Sequence, residues 1–227
     1  MPKYTSIQET AYNYVRNKVL TGQLQPNVLY SETKMAAEIH ISRTPMKDAL
    51  VRLSQDRFID IIPSKGFCLH KMSEEDIWHT YQARTAVEGF CAMQLAQHRD
   101  EADGQAAIRA LEGCLTDMSR LLAEMSQRKV SLEELLERDL QFHQALVDYV
   151  QNTELAQLFN TYHYRLYFFA LESLRLDGRP EKAYQEHRKV LDAILDPEDT
   201  LGIHAYLAIV QHMESTRNIM LSILAAE

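Results

Sequence analysis

The sequence predicts a mainly α-helical protein in two parts: three short helices closed by a β-hairpin, then an all-α antiparallel bundle. Three observations carry that expectation. Apolar residues recur at helical spacing along most of the chain, and only 7 Gly and 6 Pro interrupt its 227 residues. One pair of β-prone runs, "FIDIIPSKGFCLH", stands alone among the helical segments. Charge divides just beyond it: residues 1–71 hold 10 Lys+Arg against 6 Asp+Glu, a net of +4, while residues 72–227 hold 14 against 26, a net of −12. The first third suits a polyanion, and the remainder would repel one.

In chain order, Ile7, Ala11, Tyr14, Val15 and Val19 form the stripe of a first helix that ends near Gly22, a C-cap residue. Ser31 caps a second short helix with Met35, Ala36 and Ile39 inward. After a tight His40–Ile41 turn, Ser42 caps a third helix whose inner stripe is Met46, Ala49, Leu50 and Leu53. Pro45 falls in its first turn, where no intrahelical N–H bond is lost. The β-prone runs read as a hairpin with Gly66 at its turn, so residues 1–71 make a winged helix-turn-helix. "SEED" at Ser73 is a capping box and opens the second domain, residues 72–227. Helices are expected there over roughly 74–98, 104–127, 132–151, 154–176, 181–195 and 200–225, with connections short enough for antiparallel neighbours.

Composition excludes several classes. With 46% hydrophobic and 25% charged residues the chain is globular rather than disordered. No apolar run approaches the ~20 residues of a membrane span, and "MPKYTSIQET" lacks the apolar core of a secretory signal. Cys68, Cys91 and Cys114 are odd in number and form no Cys-x-x-Cys pair, so a reducing cytoplasm and unpaired thiols are expected.

In a helix-turn-helix, the second helix of the motif enters the major groove. Arg43 and Lys47 would share its outer face, Arg43 donating to guanine O6 and N7 together and Lys47 reaching base or phosphate. Ser42 and Thr44 can donate to phosphate, and Lys65 and Gly66 on the hairpin can approach the backbone. The plain alternative is a solvated cationic helix face.

Polar residues interrupt the core stripes of the bundle. Asp139 and His143, four apart, fall within the stripe of "SLEELLERDLQFHQALVDYV" and project from one face. His187 lies between Tyr184 and Leu191, and His212 falls within the run Ala205, Ala208, Ile209, Thr216, Ile219. One carboxylate and three imidazoles from three helices suit a divalent metal with open positions. His204 competes with His212, and each histidine taken singly suits a hydrogen-bonded core residue. Tyr81, Arg84 and Glu88 continue the stripe from Ile77 to Leu95, which turns Arg84 inward, either to clamp a ligand or to pair with Glu88. Arg165 edges the stripe Tyr162, Leu166, Phe169, as a second ligand candidate or a snorkelling surface cation.

Residues 7–70 resemble the winged helix of the GntR family, whose signature reads approximately S-R-T-P-[VLM]-R-[ED]-A-L; here it is "SRTPMKDAL", preceded by "GQLQPNVLYSETKMAAEI" and followed by "LVRLSQDRFIDIIPSKG". The resemblance implies DNA contacts at Ser42, Arg43, Thr44 and Lys47, a wing turn at Ser64, Lys65 and Gly66, and a helix position facing DNA at Thr33. Lys47 stands where the family usually has Arg, and His40 where Gly is common. Residues 73–225 are similar to the FCD ligand-binding domain of the FadR subfamily, whose Asp-x3-His, His and His pattern falls on Asp139, His143, His187 and His212; "YQARTAVEG" matches its start. That resemblance implies zinc, nickel or manganese as the metal, and a small organic acid as effector beside it; Tyr81, Arg84 and Glu88, and from its stripe Arg165, are the candidate contacts.

A homodimeric regulator, with repression the commoner outcome, would place two recognition helices on a palindromic operator. Two other functions fit the residues: a metal-dependent enzyme acting on a small carboxylate, with Glu88 as the nearest base, and a constitutive DNA-binding protein whose bundle only dimerises.

Overall fold

The computed structural model describes residues 6–25, 27–125 and 131–226. It forms two compact units, Met1–Met72 and Ser73–Glu227. The first contains α1 (Ile7–Leu20), α2 (Glu32–Glu38), α3 (Arg43–Gln55), β1 (Ile59–Ile62) and β2 (Gly66–Leu69). The second contains α4 (Glu74–Gln97), α5 (Ala102–Met125), α6 (Leu132–Tyr149), α7 (Thr153–Thr161), α8 (His163–Leu174), α9 (Arg179–Ile194) and α10 (Ile203–Ala225).

Serine oxygens begin the first two helices, Ser6 accepting from Glu9 N and Ser31 from Lys34 N. Helix α1 ends in a Schellman motif, with Gln23 N on Lys18 O at 2.9 Å and Gly22 N on Val19 O at 3.1 Å, Gly22 taking φ 67. Helix α2 ends with the same pair of bonds, Ile41 N to Ala36 O and His40 N to Ala37 O, although the left-handed residue is His40 at φ 57. The helix-turn-helix turn is therefore closed as a glycine would close it, at the steric cost of a Cβ.

The α1 stripe differs from the sequence expectation. Tyr12 rather than Tyr14 is buried, its hydroxyl donating to Asp56 at 2.6 Å, while Ile7 is exposed. A polar partner 44 residues away outweighs the local pattern. Met46, Ala49, Leu50 and Leu53 of α3 are all buried, as their spacing predicts.

The hairpin is antiparallel, in the register Ile59↔Leu69 to Ile62↔Gly66. Its turn is not centred on Gly66. Lys65 N donates to Ile62 O at 3.0 Å, and the left-handed residue is Ser64 at φ 63 after Pro63, the pattern of a type II turn. Gly66 instead opens β2 at φ 124, where a Cβ would lie 2.1 Å from the Tyr30 carbonyl oxygen. The close approach allows Tyr30 and Phe67 to exchange both backbone bonds, at 2.7 and 3.0 Å.

In the bundle, α10 packs along α4, α5 along α6, and α9 against both α5 and α10. The Ser73–Asp76 capping box starts α4. The single helix expected over 154–176 is two, because the chain turns at Tyr162 between α7 and α8. Helix α10 starts at Ile203 rather than 200: Asp199 accepts from the amides of Ile203, His204 and Ala205, doing the work that Gly202 at the N-cap lacks a side chain to do. Residue 127, the expected end of the second bundle helix, lies outside the described residues. Cys68, Cys91 and Cys114 are free, and burial pushes the Cys91 thiol up to about 12. No described helix is long and apolar enough to cross a membrane.

Candidate functional site

On the first unit, Ser42, Arg43, Thr44 and Lys47 are all exposed on the first turns of α3, and Thr33 is exposed on α2. Ser42 holds the N-cap position, but its side chain makes no capping bond, contrary to the sequence expectation. Its hydroxyl is thus not committed to the helix end. Ser64 and Lys65 are exposed at the tip of the hairpin, and Gly66 sits behind them against Tyr30. These positions form a cationic helix face and a loop tip, each held rigid by a buried inner side.

Within the bundle, three helices bring three imidazoles together. The ligating nitrogens of His143 (α6), His187 (α9) and His212 (α10) all lie within 4.8 Å of one another, and all three residues are buried. His187 Nε2 is 3.0 Å from His143 Nε2 and 3.5 Å from Asp139 Oδ1. The opposite nitrogen of each ring meets an oxygen: His143 Nδ1 is 2.5 Å from Glu88 Oε2, His187 Nδ1 is 2.7 Å from Ala183 O, and His212 Nδ1 is 2.9 Å from Glu186 Oε2.

A carbonyl and two carboxylates can only accept, so each Nδ1 carries a proton. In a neutral ring the Nε2 is then a bare lone pair. Two such lone pairs 3.0 Å apart repel each other unless a cation lies between them. Burial and the neighbouring imidazoles hold His187 well below the usual imidazole range, and burial lowers His212, so the neutral, coordinating form is favoured. The residues therefore fit a divalent metal, with His143, His187 and His212 as nitrogen donors and Asp139 beside them. His204 is exposed and paired with Asp196 at 2.8 Å, apart from the three.

The two carboxylates behind the rings each join an imidazole to a guanidinium. Glu88 accepts from Arg84 Nε at 2.7 Å as well as from His143. Burial would raise Glu88, but Arg84 and His143 outweigh it and hold the carboxyl at about 2. Glu186 accepts from Arg179 Nη2 at 2.8 Å and Ser215 Oγ at 2.7 Å besides His212. Burial opposes ionisation there too, yet His212 and Arg179 bring it to about 2. Both carboxylates are thus ionised positioning groups for the rings. Glu186→Gln keeps the shape but loses the charge, and is expected to weaken Zn²⁺ binding by about 10–100-fold in competition with a chromophoric chelator. Unchanged affinity would reduce Glu186 to a packing role.

A cleft of about 270 Å³, counting the space at its mouth, opens on this centre and is lined by Arg84, Asp139, His143, Arg179, His212 and Thr216 among others. Arg84 and Arg179 are each only 5% exposed, and Arg84 Nη2 and Arg179 Nη1 are buried with no hydrogen-bond partner. A buried N–H without an acceptor is costly, so two such donors in one cleft call for an anion.

Of the other expected effector contacts, none lines the cleft. Tyr81 stacks on Phe169 at 5.8 Å, and Glu88 is fully enclosed behind His143 and Arg84. Arg165 is not a surface cation: it is buried and its Nη1 donates to Thr80 Oγ1 at 3.1 Å. Arg179 and Glu186 are residues of this cluster that periodicity missed. "DGRPE" reads as a turn, and Arg179 is in fact the first residue of α9, after a left-handed Gly178. Only its place beside a Gly-Arg-Pro helix start offered a signal.

A three-helix unit with a β wing, followed by a helical bundle built around a histidine cluster, defines a winged helix-turn-helix type of DNA-binding protein. Residues 7–69 match the model of the bacterial regulatory proteins of the gntR family, and residues 79–215 match the FCD domain. The chain belongs to the GntR family of transcriptional regulators and carries an FCD domain; it is a regulator that binds DNA, not an enzyme. It is 22% identical over 183 residues to the HTH-type transcriptional regulator YdhC of Bacillus subtilis, covering 81% of this chain and 78% of that one. It is 26% identical over 183 residues to the gluconate operon transcriptional repressor of Bacillus licheniformis, covering 78% and 68%. A GntR transcriptional regulator from Rhodococcus sp. RHA1 shares the fold, with a TM-score of 0.72 at 17% identity over 95% of this chain and 97% of that one.

Proposed function

We propose that the protein is a cytoplasmic, metal-assisted repressor that responds to a small organic acid and binds a palindromic operator as a homodimer. The observation that carries this reading is a cluster of three buried imidazoles, two of which line a cleft together with Arg84 and Arg179, each of which has a buried N–H group that lacks an acceptor. His143, His187 and His212, with Asp139, would hold zinc, nickel or manganese; the ion would supply positive charge to a ligand carboxylate. Arg84 and Arg179 would donate to the same anion, while Thr216, whose hydroxyl donates to His212 O and accepts from Arg179 Nη2, steadies that guanidinium. Tyr81, Glu88 and Arg165 support that wall from behind rather than touching the ligand.

On the DNA side, Arg43 and Lys47 would face the major groove, Ser42, Thr44 and Thr33 the adjoining phosphates, and Ser64, Lys65 and Gly66 the backbone beside the wing. Trp78 and Phe90 on α4, with Ile203 and Leu207 on α10, leave large apolar area exposed, which suits pairing of two copies. Relatives named as repressors, two of them of a gluconate operon, support repression. An effector changes operator affinity only by binding one arrangement of the protein better than another.

The test titrates a panel of small carboxylates, gluconate included, into protein bound to a genome-selected DNA fragment, with and without prior chelation. One carboxylate is expected to shift the DNA dissociation constant by about tenfold, and chelation to remove the shift. A full response in metal-free protein would overturn the metal's part, and no response to any acid would overturn the effector class.

A further inference from the structure

The first residue of α2, Glu32, meets the first residue of α3. Glu32 Oε1 accepts from Arg43 Nε at 2.6 Å, with the arginine side chain 71% exposed and the glutamate only 18%. Glu32 is well placed to act as a fixed anchor: it follows the Ser31 cap, and Met35 and Ala36 of the same short helix are buried in the core.

A guanidinium has five N–H groups, one on Nε and four on the two Nη atoms. Glu32 takes the Nε edge and leaves the Nη end free, which is enough to donate to guanine O6 and N7 together. The carboxylate also removes side-chain freedom before DNA arrives, so less is lost on binding. On a non-matching sequence the arginine would gain most by swinging to a phosphate, and Glu32 both restrains that swing and repels the phosphate. As a contribution to stability an exposed pair of this kind is worth little.

We infer that Glu32 is a positioning residue that sets DNA specificity: it holds Arg43 end-on to the major groove, so that the guanidinium reads a base rather than settling on the backbone. This rests on the recognition-helix role of Arg43. It predicts an unusual trade, because removing Glu32 improves binding to random DNA while degrading discrimination.

The experiment is a double-mutant cycle on the full-length protein at fixed salt, with Glu32→Ala, Arg43→Ala and the pair, comparing affinity for a genome-selected fragment with that for random duplex. Glu32→Ala is expected to lower the ratio about tenfold, to tighten random-duplex binding, and to add nothing once Arg43 is gone. Glu32→Gln, which keeps an acceptor for Nε, is expected to stay closer to wild type than to the alanine variant, and circular dichroism checks that each variant is folded. An unchanged ratio in folded Glu32→Ala, an equal loss in the Arg43→Ala background, or a glutamine variant as poor as alanine each overturns the inference. If Arg43→Ala itself leaves the ratio intact, the recognition-helix role fails instead, a distinct result.

Discussion

Replacing Arg84 with methionine is expected to destabilise the protein by ~3 kcal/mol and to abolish the proposed response to a small organic acid. The stability loss comes from Glu88. That carboxylate is wholly enclosed and is held at about 2, against the effect of burial, by Arg84 first and His143 second. Methionine fills the aliphatic space but supplies no charge, so Glu88 must either remain ionised with one partner or take up a proton and release its hold on His143. Both routes are costly. Loss of ligand response has a separate origin, in the cleft position of Arg84, whose buried Nη2 lacks an acceptor. Denaturant unfolding reads the first effect and the carboxylate titration reads the second. A variant as stable as wild type would show that the Arg84–Glu88–His143 chain is energetically idle.

The second large effect is expected at Gly66. An alanine there would place its Cβ 2.1 Å from the Tyr30 carbonyl oxygen, and its φ of 124 is strained for any L side chain. The obstacle is backbone, not the tip of a mobile side chain, so relief requires Tyr30 to withdraw and both Tyr30–Phe67 hydrogen bonds to break. Backbone strain and the lost bonds together are expected to cost ~4 kcal/mol in the N-terminal unit. Hydrogen exchange should show the amides of Tyr30 and Phe67 losing protection first, and calorimetry should show a lowered transition. Protection equal to wild type at both amides would mean that the hairpin can shift to admit the methyl group.

Much of this molecule could be read from residue patterns. Helix existence followed from 3.6-residue periodicity, and helix starts from Ser31 and Ser73, each of which accepts a bond from the first turn of its helix. Asp139, His143, His187 and His212 were visible because polar groups on an apolar stripe are costly unless partnered. Ser42 broke the capping pattern despite having the right side chain, and the break at Tyr162 carried no proline or glycine to announce it.

Sequence by itself determined the winged unit, the helical bundle, the segregation of charge and the inward face of His143 and His187, since each depends on neighbours within a helical turn or on composition, whereas His212 was chosen over His204 only by the fold. Tertiary structure alone decided which ring nitrogen faces the centre, because the oxygens that fix it come from elsewhere: Glu88 is 55 residues from His143, and Glu186 is 26 from His212. It also decided that Arg179 joins Arg84 at the cleft, and that Glu32 grips Arg43. A hydrogen bond is short-ranged in space but indifferent to separation along the chain, so local pattern can place a donor on a face without naming its acceptor.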